Sequence, residues 1–346
     1  MFAQRLRTWR YVFNTANLPE GMTVPPDAVS KWLVITRAAV FTMTITSGLI
    51  GGLLAVGAEQ LRGEVTVQWG YLALAVVGLV VAHAANNMIN DFFDMTGGVD
   101  TPGYVRALYA PHPVLSGWLT KRQLGVAILI ANAIDLAILL VLMAARGPLV
   151  AAFALAGLFI SVFYVAPPIS LKRIGLGEPG VFAVWGPLMV VGTFFVATGE
   201  IPGWVWIASL PYAILVTTVL FGKHIDKIEP DTALGIRTMP VILGERRARL
   251  VAQVLMVAFY PIVIGAALVG WIGPWVLLAL LGLPRLVAVL RTYSRPKPES
   301  PPQSYVGWPL WFVGYAFIHT RRAGGLLILG LLLNAFLPIR LPWLAA

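Results

Sequence analysis

Gly70–Ala85 reads GYLALAVVGLVVAHAA, sixteen residues with no acid, Lys or Arg, and Asn86-Asn87-Met88-Ile89-Asn90-Asp91-Phe92-Phe93-Asp94 follows directly. A run of about 20 apolar residues crosses a bilayer as a helix, so this stretch predicts a transmembrane helix with two carboxylates at its end. Acids there are costly unless they pair, meet water or bind a cation. Asn86, Asn90 and Asp94 lie four residues apart, as do Asn87 and Asp91, so each set lines one strip of a helix. Capping a helix end takes one such residue, whereas six Asn and Asp residues fall in 86–100. Oxygen ligands gathered this way suit Mg²⁺, which keeps waters and takes phosphate oxygens as further ligands. The stretch points to a membrane enzyme that handles a diphosphate.

The rest of the chain agrees with a membrane setting. Of 346 residues 58% are hydrophobic and 12% charged, against a usual charged share of about 25%. That imbalance excludes an ordinary soluble globule and reads as an all-α polytopic membrane protein. There is no Cys, and His83, His112, His224 and His319 form no HxxxH pair, which argues against disulfides and a zinc site. The net charge of +10 sits in loops between apolar spans, without interleaved aromatics. It reads as a positive-inside bias, not as nucleic-acid binding.

Apolar runs near 33–57, 70–90, 124–144, 147–165, 180–198, 204–222, 248–270, 274–292 and 323–339 make nine candidate spans. The segment 306–319, shorter and rich in Trp and Tyr, is expected to be interfacial or re-entrant. The N-terminal segment and the loops at 91–123, 166–179, 223–247 and 293–322 hold nearly all the Lys and Arg. By the positive-inside rule these face the cytoplasm, as expected in an inner membrane, and nine spans put the C-terminus outside. Residues 1–30 are read as a cytoplasmic segment and 31–346 as a single transmembrane domain. No removable signal peptide is expected, because no short apolar region with a cleavage site follows the basic start at Arg5, Arg7 and Arg10.

Three constellations carry chemistry. The first runs from Asn86 to Asp100 and on through Arg106, His112 and Ser116-Gly117. The second is His224-Ile225-Asp226-Lys227-Ile228-Glu229-Pro230-Asp231, with Arg237 beyond it. Two acidic loops on one membrane face can clamp cations that neutralise a leaving diphosphate. Lys223, Lys227 and Arg237 are placed to meet phosphate oxygens. The third is Tyr164-Val165-Ala166-Pro167-Pro168-Ile169-Ser170-Leu171-Lys172-Arg173, where prolines stop a helix and Lys172-Arg173 return to the surface. Read alone, each also fits a plainer role: a solvated mixed-charge loop for the second, interface anchors for the third. Asp135, mid-span with Asn132 three residues before it, is expected to have a structural or proton-handling role outside the site.

These residues resemble the UbiA superfamily of intramembrane prenyltransferases. Asn90-Asp91-Phe92-Phe93-Asp94 is similar to its first Asp-rich motif, and Tyr164 to Pro168 with Leu171-Lys172 to its Y-x-x-P-P…LK signature. Asp231 followed by Gly235-Ile236-Arg237-Thr238 resembles the second Asp-rich motif, and His112-Pro113-Val114-Leu115-Ser116-Gly117 the R-P-L-x-S-G stretch. The resemblance implies nine helices around a lateral cavity under a cytoplasmic cap, with Mg²⁺ held by both Asp-rich motifs. It implies prenyl transfer from a polyprenyl diphosphate to a hydrophobic acceptor, often an aromatic ring. Asp91, Asp94 and Tyr164 are then expected to be catalytic, and Asn90, Asp91, Asp94, Asp226 and Asp231 to hold metal. Asn86, Asn87, Arg106, Lys172, Lys223 and Arg237 are expected to bind substrate.

Two departures shape the expected acceptor. Position 98 is Gly, and Asp100 stands in for the usual third Asp, a form similar to the branch that prenylates dihydroxynaphthoate. In the second motif Lys227 replaces the usual Asp, and His224 takes a position usually acidic or amide. Non-aromatic acceptors (a glycerol ether lipid, a haem vinyl group or a sugar phosphate) stay open, as does a prenyl-lipid binder without turnover. A transporter fits poorly, since its site lies near the bilayer midplane, whereas these acids gather at span ends.

Overall fold

A chain this apolar must satisfy its backbone internally, and helices do so wherever no water is available. The computed structural model describes all residues except 1, 23, 64, 102–109, 304, 306 and 340–346, and no strand forms among the described residues. The elements are α1 (Phe2–Thr15), α2 (Ala28–Ile35), α3 (Phe41–Arg62), α4 (Trp69–Thr96), α5 (Lys121–Arg146) and α6 (Leu149–Phe163). They continue with α7 (Gly177–Thr198), α8 (Gly203–Ile225), α9 (Ile228–Ala233), α10 (Met239–Leu243), α11 (Glu245–Leu268), α12 (Pro274–Tyr293) and α13 (Phe312–Phe336). Eight of them are long and apolar enough to cross a membrane, and α6 is apolar but only 15 residues. The protein is an all-helical integral membrane protein.

Two expectations about spans are corrected. The apolar run from 33 is not one helix. Asp27 caps α2 by accepting from Val29 and Ser30 N–H, and the chain then turns at Arg37, which has a left-handed φ of 54°. The segment 306–319 is not a separate re-entrant piece either, because α13 begins at Phe312 and runs unbroken through Arg321-Arg322. Those two arginines split the apolar pattern, so the run seemed to start at 323.

The most enclosed span is α8, which packs between α7, α11 and α13. Their buried faces form one core with α3, including Phe194, Leu215, Phe259 and Leu327. Outside it, α5 is largely exposed, as a lipid-facing helix is. Within α7, Val184–Val191 is π-helical around Pro187, whose missing N–H prevents a regular turn. Ser47 Oγ donates to the Trp185 carbonyl there at 2.7 Å. Gly186 lets α7 and α8 touch: a Cβ would sit 2.4 Å from that of Ala213 and 3.0 Å from the Ser209 carbonyl oxygen. Gly186→Ala is therefore expected to cost about 2 kcal/mol as an overpacked contact, read as a lower melting temperature in detergent.

Helices α3 to α8 and α13 enclose a cavity of about 800 Å³ with a mostly apolar lining. The end of α1 closes part of it through Asn14, Thr15 and Ala16, while Thr8 and Val12 bury the helix against the body. Asp135 lines the cavity from α5, and Asn132 does not answer it, giving its amide to the Ile128 carbonyl at 2.9 Å.

Candidate active site

The site is built at the end of α4, where Asn86, Asn87 and Asn90 line the cavity and Asp91 and Asp94 follow. Asn86 Oδ1 accepts from Ser161 Oγ at 2.9 Å, and Asn87 Nδ2 donates to the Thr36 carbonyl at 2.9 Å. Asn87 thus ties α4 to the turn that presents Arg37. The Arg37 guanidinium pairs with Asp91, whose side chain is fully buried. One turn on, Lys172 Nζ donates to Asp94 Oδ2 at 2.9 Å. Asn90 Oδ1 is buried and has no hydrogen-bond partner among the described residues.

The three charged loops converge. The Asp94 carbonyl accepts from the N–H groups of Val99 and Asp100 at 2.8 and 3.0 Å, folding the loop back over the helix end. That turn brings Asp100 to Asp91, and with His112 their ligand atoms lie within 4.8 Å of one another. Val99 packs against Ile236 of the second loop. The Arg237 N–H reaches the Arg173 carbonyl of the third at 3.3 Å. Lys172 N–H donates to the Tyr164 carbonyl at 3.0 Å, so the prolines fold the third loop back on its own helix. Tyr164 stands at the junction, its hydroxyl within the fields of Glu178, Asp94, Asp231 and Arg37.

The second loop departs from expectation. Asp226 does not face the site: its carboxylate accepts from the N–H groups of Trp311, Phe312 and Val313 at 2.9, 2.9 and 3.0 Å, capping α13. Three backbone donors occupy the oxygens that a metal would need. Glu229 is exposed, while Asp231 is fully buried 3.4 Å from Lys227 Nζ. Lys227 thus fills the expected acidic position with a cation that pairs with the remaining acid. Lys223 lines the cavity, Arg237 is exposed, and Arg106 lies outside the described residues. Arg37 and Glu178 were not foreseen, because their partners Asp91 and His224 lie 54 and 46 residues away.

The oxygen set fits a hard divalent cation. Asn90 Oδ1 is orphaned on the helix end that carries Asp91 and Asp94, and Asp100 brings a carboxylate oxygen within 4.8 Å of that of Asp91. The polar end therefore joins carboxylate and amide oxygens, four cations (Arg37, Lys172, Lys223, Lys227) and an apolar cavity of about 800 Å³.

The chain is similar to known proteins in sequence and in fold. The model for the UbiA prenyltransferase family covers residues 50–313. A 1,4-dihydroxy-2-naphthoate octaprenyltransferase of Bacillus subtilis (strain 168) is 24% identical over 289 residues, spanning 81% of this chain and 88% of its own. A digeranylgeranylglyceryl phosphate synthase of Natronomonas pharaonis is 28% identical over 283 residues, spanning 79% and 92%. In fold, the chain is similar to a UbiA homolog from Archaeoglobus fulgidus bound to GPP and Mg²⁺, with a TM-score of 0.53 at 15% identity over 86% of this chain and 99% of that one.

Proposed function

The chain belongs to the UbiA prenyltransferase family, and from that premise we propose Mg²⁺-dependent transfer of a polyprenyl group to an aromatic acceptor, a quinone precursor such as dihydroxynaphthoate. The observation that carries this reading is the meeting of three charged loops over one end of an apolar cavity. The same reading makes residues 31–346 one catalytic domain, with the site facing the cytoplasm in an inner membrane. The Gly98 and Asp100 arrangement and the Bacillus relative support the aromatic acceptor.

Asn90, Asp91 and Asp94, with Asp231 of the second loop, would hold Mg²⁺, which when bound supplies positive charge to the departing diphosphate oxygens. Arg37 and Lys172 pair with these acids and would meet phosphate oxygens, with Lys223 at the cavity wall. The prenyl tail lies along the apolar lining, where water that would quench an allylic cation is excluded. Tyr164 lines the cavity wall, where it would face the carbon that leaves the diphosphate. Asn86 and Asn87 hold the helix end in register through Ser161 and Thr36.

The test is a radiolabelled prenyl diphosphate offered to purified protein with Mg²⁺ and one acceptor class at a time. Labelled prenyl-arene with diphosphate release supports the reading. Product only with a glycerol ether phosphate supports the second reading, which the Natronomonas relative favours.

A further inference from the structure

The mechanism so far leaves a proton unassigned. Whether the acceptor is a hydroxyarene or an alcohol, bond formation at the prenyl carbon must release a proton, and that proton needs an acceptor. The acids of the metal set are paired with cations. A different group of side chains lies behind Tyr164.

Glu178, in the first turn of α7, and His224, in the last turn of α8, are each about 1% exposed. His224 Nδ1 lies 2.7 Å from Glu178 Oε1, so the carboxylate fixes the ring with Nδ1 donating. The other ring nitrogen, Nε2, is then free to accept, and it lies 3.4 Å from the Tyr164 hydroxyl. Glu178 Oε2 is also buried and has no partner among the described residues. Gly177 makes room for the tyrosine: a Cβ there would come within 3.2 Å of Tyr164 Cε2. A pair that served only to clip α7 to α8 would have no need of a second imidazole nitrogen aimed at the cavity wall.

Resting on the aromatic-transfer reading above, we propose that Glu178, His224 and Tyr164 form a relay that removes the acceptor's proton. As the ring carbon gives its π pair to C1 of the prenyl group, the C1–O bond to diphosphate breaks. The acceptor O–H pair becomes the carbonyl of the keto tautomer, and its proton passes to Tyr164 Oη. The Tyr164 hydroxyl proton passes to His224 Nε2, and the imidazolium is held against the Glu178 carboxylate. Tyr164 touches substrate and is the catalytic residue; His224 and Glu178 are positioning residues that act through it. His224 stands where the resemblance places an acid or an amide, neither of which has two opposed nitrogens.

The experiment uses the full-length protein with radiolabelled prenyl diphosphate, Mg²⁺ and dihydroxynaphthoate, in H₂O and in D₂O. His224→Gln is expected to lower turnover about 100-fold, as loss of a general base does, with KM for the prenyl diphosphate within about twofold of wild type. The solvent isotope effect is expected to vanish in Tyr164→Phe, and the double variant to fall no further than either single one, because the groups act as a unit. A His224→Gln protein within about threefold of wild-type turnover, losses that multiply in the double variant, or a KM that rises as turnover falls would each overturn the relay. If His224→Gln does not fold, Tyr164→Phe decides, since full turnover with an unchanged isotope effect rejects the relay. A wild-type protein that prenylates no aromatic acceptor instead overturns the functional reading on which the relay rests.

Discussion

Asp91→Asn is expected to reduce prenyl transfer about a thousandfold. Asn keeps the size of the side chain and an oxygen for Arg37, so what it removes is the negative charge. That charge is fully buried, pairs with Arg37, and shares a pocket with Asp100 and His112. Charge stabilisation by a catalytic metal is worth several kcal/mol, and a loss of about 4 kcal/mol corresponds to a factor near 10³ in rate. The measurement is turnover of purified variant at saturating prenyl diphosphate and Mg²⁺, with melting temperature as the check on folding. More than about a tenth of the wild-type rate in a folded Asp91→Asn protein would sink the metal assignment.

Asp226→Ala is expected to act on stability before it acts on chemistry. Removing the carboxylate strips three N–H groups at the start of α13 of their acceptor. An N-cap is worth about 1–2 kcal/mol and hydrogen bonds to a charged group somewhat more, so a loss of about 3 kcal/mol follows. Burial holds this carboxyl up at about 6, above 3.8, against the opposing pull of those N–H groups and Lys297. The folded protein therefore binds the proton more tightly than the unfolded chain. This group's stabilisation is fully present below 3.8 and is lost as pH rises through about 6. Against Asp226→Asn, which does not titrate, the wild type should gain up to about 3 kcal/mol as pH falls from 7 toward 4. Melting curves of both proteins across that range decide it, and a constant gap would refute the buried-cap account.

Much of this arrangement is legible in the chain. Apolar runs mark the spans because lipid forces each to be a self-satisfied helix, and acids at span ends are too costly to be incidental. Asn90, Asp91 and Asp94 could be picked out because they stand within about one helical turn at the end of an apolar run, and Tyr164 and Lys172 because the prolines between them mark the end of a span. Arg37 could not, since its partner is 54 residues away and nothing local marks it. The Glu178–His224 pair is separated by 46 residues, and neither stands in an acidic run with the other. Asp226 was misread for a related reason. Density of acids suggested a ligand, yet its carboxylate is committed to backbone groups of a helix that begins 86 residues later. The break at Thr36-Arg37 and the unbroken α13 were hidden because hydropathy records apolar length and not where a chain turns.

During synthesis, Asp226 leaves the ribosome 85 residues ahead of Trp311, the first of the amides it will accept from. Until α13 is inserted, the chamber also lacks the side formed by Leu310, Val313 and Phe317. Before that the cavity wall is open on this side and the Asp226 carboxylate lacks the three amides it accepts from. Arrival of the last helix closes the chamber and satisfies the acid in one event, so completion of the chain and completion of the chamber coincide. A chain truncated before residue 311 is expected to lose prenyl transfer outright, because it lacks both one cavity wall and the partners of Asp226.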